Sequence, residues 1–114
     1  MTLYGLKNCD TCRSAMKTLM SAGVEVVLHD VRAEPMLEDV LRGFHERFGE
    51  ALVNKRSTTW RGLNEDERTK HPVTVLQKHP ALMKRPVIRD GDRMTLGWDA
   101  TVEAKYLGLH AFRP

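Results

Sequence analysis

Thr2-Leu3-Tyr4-Gly5-Leu6-Lys7-Asn8-Cys9-Asp10-Thr11-Cys12-Arg13, continued by Ser14-Ala15-Met16-Lys17-Thr18-Leu19-Met20-Ser21-Ala22-Gly23-Val24-Glu25-Val26-Val27-Leu28-His29, is the stretch that decides the fold. Residues 2–5 read as a short strand. Residues 12–22 read as a helix with Ala15, Met16, Leu19 and Met20 on one face and Gly23 as its stop. Residues 24–29 read as a second strand. A strand, a helix and a strand within about 30 residues form a βαβ unit, which implies parallel pairing and a right-handed crossover.

Downstream, Pro35 stands near a helix start, and Leu37, Val40, Leu41, Phe44 and Phe48 follow at three-and-four spacing up to Gly49. Residues 50–80 carry short helical pieces at 50–53, 64–69 and 73–78, separated by polar turns. Pro86-Val87-Ile88-Arg89 and Arg93-Met94-Thr95-Leu96 flank Asp90-Gly91-Asp92, a strong hairpin signal. A last helix over 99–107 has Asp99 as N-cap and ends at Gly108. This order is the thioredoxin-like plan: an α/β fold with a mixed four-stranded sheet, helices on both sides and an inserted helical segment at about 35–80. The 114 residues are read as a single domain.

The chemistry sits at the first helix. Cys9 and Cys12 lie in the turn from strand to helix, where free N–H groups and the positive end of the helix dipole stabilise a thiolate. Lys7 and Arg13 add positive potential, and Asn8 lies in the same turn. Cys9, just ahead of the helix, is the expected acidic and exposed sulfur. Cys12, in the first turn, can reach back as a resolving thiol. The alternatives are two buried core fillers or a zinc site. Polar neighbours and loop placement speak against the first. The second needs two more ligands, yet there is no third cysteine and His29, His45, His71, His79 and His110 lack metal-binding spacing, so no metal is expected. These histidines, with Trp60 and Trp98, read as surface or packing residues.

An anion at the thiolate needs forked donors, for which Arg56, Arg61 and Arg85 are available. Arg85 is favoured because it precedes Pro86 at a strand start, where the chain passes beside the cysteine turn in this fold. An Arg-Pro bond can be cis, although trans is commoner.

Charge and hydropathy narrow the setting. The net charge of +3 arises from 18 Lys and Arg interspersed with 15 Asp and Glu, with no basic run, so it points to a small anionic substrate as readily as to nucleic acid. No apolar run suits a membrane span or a signal peptide, and the expectation is a cytoplasmic chain with reduced or cycling thiols. There is no nucleotide loop, paired catalytic carboxylate or membrane-binding helix.

The set KNCDTC at 7–12, NKRSTTWRGL at 54–63, LMKRPVI at 82–88 and LGWD at 96–99 resembles the arsenate reductase (ArsC)/Spx family, most of all its YffB-type branch. The resemblance implies that Cys9 is the catalytic cysteine, that Arg85 and a cis-Pro86 stand beside it, and that Arg56 is a second anion-binding arginine. In the arsenate reductases of this family the thiolate attacks the oxyanion, glutathione resolves the adduct and glutaredoxin restores the enzyme. They carry another arginine after the hairpin, where this chain has Leu96-Gly97-Trp98, which implies weak arsenate turnover. They also lack a cysteine at the position of Cys12, whereas Spx regulators have the CxxC pair. Three readings result. The first is a glutathione-dependent reductase acting on a small anionic or disulfide substrate through Cys9, with Cys12 or glutathione resolving. The second is a Spx-like redox-sensing regulator that binds RNA polymerase. The third is a true arsenate reductase. The family plan implies a monomer that binds neither nucleic acid nor membrane, with glutathione as co-substrate, no tightly bound cofactor and glutaredoxin as a possible partner.

Overall fold

The computed structural model describes residues 1–111, with side chains described as far as residue 108. It divides into two compact units, one formed by residues 1–30 with 85 onward and the other by residues 31–84.

The first unit has the thioredoxin-like architecture. Strands β1 (Thr2–Gly5), β2 (Val27–Asp30), β3 (Val87–Asp90) and β4 (Arg93–Leu96) form one sheet in the order β2-β1-β3-β4. β1 and β2 are parallel, with Gly5 opposite Asp30, while β1–β3 and β3–β4 are antiparallel. Leu3 and Ile88 are partners across β1 and β3 and so point to one face. Helix α1 (Asp10–Ser21) buries Cys12, Ala15 and Leu19 against that face. The last helix, Ala100–Ala111, adds Val102 and Tyr106 to the same core, so both helices of this unit lie on the Leu3 and Ile88 side of the sheet.

Several boundaries move, each for a local reason. α1 begins at Asp10, because Cys9 is already its N-cap. Met20, expected on the buried face, is 61% exposed; Cys12 takes its place in the stripe with Ala15 and Leu19 at helical spacing. β2 begins at Val27, since the Val24 N–H still donates to the Leu19 carbonyl and holds residues 22–24 to the helix end. Asp99 caps the last helix as expected, through the Val102 N–H at 2.9 Å, but the helix continues past Gly108.

The second unit contains α2 (Glu38–Phe48), a 3-10 turn (Gly49–Leu52), α3 (Thr58–Arg61), α4 (Glu65–Arg68), α5 (Pro72–Lys78) and a 3-10 turn (Pro80–Leu82). α2 starts three residues after Pro35. Leu37 is its N-cap and is 73% exposed, while Met36 is buried in its stead. Ser57, Asn64 and His71 each cap a short helix with a side-chain acceptor. Val53 and Met83 form an antiparallel bridge, flanked by hydrogen bonds from Asn54 N–H to the Leu82 carbonyl and from Lys84 N–H to that of Leu52. That strap fixes the end of the unit immediately before Arg85. Among the described residues, no helix is long and apolar enough to cross a membrane.

Candidate functional site

β1 ends at Gly5, and buried Leu6 leads into the exposed turn of Lys7 and Asn8. The parallel register sets Asp30 beside this turn, and the Lys7 N–H donates to Asp30 Oδ2 at 3.0 Å. The Cys9 N–H donates to the Leu6 carbonyl at 3.1 Å, and the Cys9 carbonyl accepts the first helical bond from Arg13 at 2.9 Å. Cys9 is thus held in extended backbone at the N-cap, half-buried, where the unpaired N–H groups of α1 converge.

The two sulfurs have opposite acidities. Partial burial pushes the Cys9 thiol up, but this is outweighed by hydrogen bonding from the Cys12 N–H, the Arg85 guanidinium and the Cys12 thiol, together with the positive charge of Arg85. The net result is a thiol held below its ordinary value, which favours the nucleophilic thiolate. Cys12 is 1% exposed, and its burial is the dominant cause pushing it up to about 11. A backbone hydrogen bond from Leu6 works the other way, while the bond to Cys9 and the charge of Cys9 raise it further. Both cysteines are free thiols. Cys12 is therefore a core residue as well as the neighbour of the reactive sulfur, so the packing role set aside in the sequence holds for one cysteine of the pair.

The structure brings Cys9, Cys12, Arg85 and Pro86 together in one unit. Pro86 is buried after a cis bond from Arg85, and its carbonyl accepts the Gly97 N–H at 2.8 Å. Gly97 has φ +82, a conformation that suits glycine, and it ties the Leu96-Gly97-Trp98 turn to the strand behind the site. Lys7, Asn8 and Arg13 are exposed. Arg13 lies 3.8 Å from Asp10, an open surface pair that offsets its positive potential and adds little stability. Arg56 belongs to the second unit, where it is exposed and its N–H donates to Asn54 Oδ1 at 3.1 Å. There it lines a cleft of about 470 Å³ with Lys55 and Lys84.

His29 stacks on Tyr4, His71 Nδ1 accepts the Val73 N–H, and His79 pairs with Glu67 at 3.1 Å. The side chain of His110 lies outside the described residues. Two residues escaped the reading of the sequence. Asp30 anchors the cysteine turn, for which its place at the end of a strand parallel to β1 was a signal. Gly5 has the Cys12 sulfur against its α-carbon, for which the sequence held none.

The chain as a whole is similar to known proteins. A model described as the ArsC family matches residues 4–105. An uncharacterized protein of Haemophilus influenzae is 39% identical over 104 residues, covering 87% of this chain and 91% of its own. A solved structure of a YFFB protein is similar at a TM-score of 0.85 and 29% identity, covering 93% of this chain and 97% of that one. The global transcriptional regulator Spx of Streptococcus pyogenes is 28% identical over an alignment of 105 residues, covering 87% of this chain and 78% of Spx.

Proposed function

The chain belongs to the ArsC family, and from that premise we propose that it is a cytoplasmic thiol-dependent reductase that uses the Cys9 thiolate as nucleophile and glutathione as reductant. One observation carries the reading: the half-buried Cys9 sulfur sits at a helix N-terminus with its thiol lowered by Arg85 and the Cys12 N–H. Toward a disulfide R–S–S–R′, Cys9 forms a bond to one sulfur as the S–S bond breaks, and the other sulfur leaves with the electron pair. A glutathione thiolate then attacks the mixed disulfide and releases the second thiol, or frees Cys9 while keeping the substrate thiol. A further glutathione, or glutaredoxin, completes the two-electron reduction.

Glutathione is the better resolving group of the two considered. Bonding Cys9 to substrate removes the Cys9 charge that raises Cys12, but the burial that dominates its shift stays. Arg85 would hold an anionic substrate, and Lys7, Asn8 and Arg13 would line its approach. Without an arginine at Leu96-Gly97-Trp98, arsenate is a poor substrate in this reading.

Glutathione-coupled turnover of hydroxyethyl disulfide and of arsenate, in wild type, Cys9→Ser and Cys12→Ser, tests the proposal. Cys9→Ser abolishes turnover, Cys12→Ser keeps most of it, and arsenate is reduced slowly or not at all. Full activity in Cys9→Ser would overturn the reading. The similarity to Spx, together with the Cys9–Cys12 spacing, supports a second one, a regulator whose thiol state governs binding to RNA polymerase. Redox-dependent capture of polymerase subunits, in a protein without reductase turnover, would favour it.

A further inference from the structure

A groove of about 440 Å³ runs along α1 in the unit that holds the cysteines. Its walls are apolar: Leu6 from the cysteine turn, Met16 and Met20 from the helix, and Leu28 from β2. Cys12 closes it at the end nearest the N-cap, and from there to Ser21 the helix spans about 13 Å at 1.5 Å per residue. Residues three and four apart share a helix face, so Cys9 stands one turn above Cys12 and Arg13 at the head of this stripe. The ionisable side chains along the groove, Arg13 and Lys17, are both cationic apart from the Cys12 thiol itself. Met20 is 61% exposed although it is a large apolar residue on a helix, and nothing in the reductase chemistry described above uses it.

Glutathione is polar throughout and has no part that gains from such a surface. A molecule that does gain has an extended apolar chain to cover Met16, Met20 and Leu28, and an anionic end to meet Lys17. We propose that the groove seats the apolar arm of an anionic organic disulfide, an alkyl chain ending in a carboxylate, whose sulfur is attacked by Cys9. The proposal rests on the reductase reading for its chemistry, but the groove itself can be tested without turnover. Lys17 and Met20 are then specificity residues, acting on the substrate's arm and away from the reacting sulfurs.

A homologous series of symmetric dithio-dicarboxylates, from dithiodipropionate to dithiodiundecanoate, keeps the disulfide chemistry constant while the arm lengthens. Each methylene that enters the groove should lower KM by up to about four-fold until the groove is filled. Met20→Gln, at an exposed position that tolerates a polar side chain, flattens this dependence on length. Lys17→Gln removes the advantage of the carboxylates over the matching dithio-alcohols. A KM independent of chain length, or a length dependence untouched by Met20→Gln, overturns the proposal.

Calorimetric binding of decanoate to the Cys9→Ser protein separates the two failures. Binding that weakens in Met20→Gln supports the groove even if no disulfide is turned over, in which case the reductase reading alone falls. Absence of decanoate binding, or binding that Met20→Gln leaves unchanged, overturns the groove whether or not turnover is seen.

Discussion

The sulfur of Cys12 occupies the space that a side chain on residue 5 would need. A Cβ built on Gly5 would overlap Cys12 Sγ and lie 3.3 Å from both Cys12 Cβ and Leu3 Cδ2. The glycine is thus required by close approach, and it lets α1 settle onto β1 at the turn that presents Cys9. Gly5→Ala should cost roughly 1–3 kcal/mol by overpacking. In a Cys12→Ala background the sulfur is gone and most of that cost should vanish, so the two changes are non-additive. Urea unfolding of the four proteins of the cycle measures this; equal costs of Gly5→Ala in both backgrounds would disprove the shared space.

Arg85 acts on Cys9 by hydrogen bond and by charge, both favouring the thiolate. Arg85→Gln should move the midpoint of Cys9 alkylation by iodoacetamide to higher pH and slow the reaction at pH 7. Arg85→Lys keeps a charge without the fork and should fall between the two. Cys12→Ser serves as the background, so that one thiol is followed. A midpoint unmoved by Arg85→Gln would mean that the helix N-terminus alone activates Cys9.

These relationships were only partly readable in the residues. The βαβ opening, the hairpin at Asp90-Gly91-Asp92 and the Asp99 cap follow from local pattern, and the structure has them. Helical spacing places Met20 and Leu37 on buried faces, yet Met20 stands about 100° round α1 from buried Leu19 and Leu37 is the N-cap ahead of α2, so both are exposed. The residues alone do not place Cys12 in the core with Ala15 and Leu19, because a cysteine serves equally well as reactive group and small apolar filler. Its raised thiol depends on that burial, a tertiary property with no local signature. Gly5 and Asp30 gain their roles only when β1, β2 and α1 meet.

The hairpin and the last helix are joined through the buried hydroxyl of Tyr106. Tyr106 OH lies 2.7 Å from Thr95 Oγ1 and donates to the Ile88 carbonyl at 3.3 Å, and Thr95 is 6% exposed. Tyr106→Phe leaves the threonine hydroxyl buried without this partner and should cost about 1–3 kcal/mol in urea unfolding. Thr95→Val combined with Tyr106→Phe removes both ends and should cost less than the sum of the single changes. Strict additivity would show that the contact contributes nothing.

Stability at alkaline pH should report on Cys12. An unfolded thiol loses its proton at about pH 8.5, whereas folded Cys12 holds it to about 11. Below the unfolded value both states are protonated and the contribution of the neutral buried thiol is fully present. Between the two values the unfolded chain has released a proton that the folded one retains, so stability falls as pH rises, at no more than about 1.4 kcal/mol per pH unit. Cys9 has the opposite sign, since its lowered thiol favours the folded state as pH rises through its folded value toward the unfolded one. The comparison therefore belongs in a Cys9→Ser background. There the upper limit for Cys12 drops, because the Cys9 charge no longer raises it, yet burial keeps the shift upward. Tyr106, also raised mainly by burial, is common to both proteins and cancels. Urea midpoints from pH 8 to 11 should decline more steeply for Cys9→Ser than for the Cys9→Ser, Cys12→Ala double variant. Parallel declines would mean that Cys12 ionises in the fold as easily as it does in the open chain, and the account of Cys12 as a buried thiol held protonated by the fold would have to be abandoned.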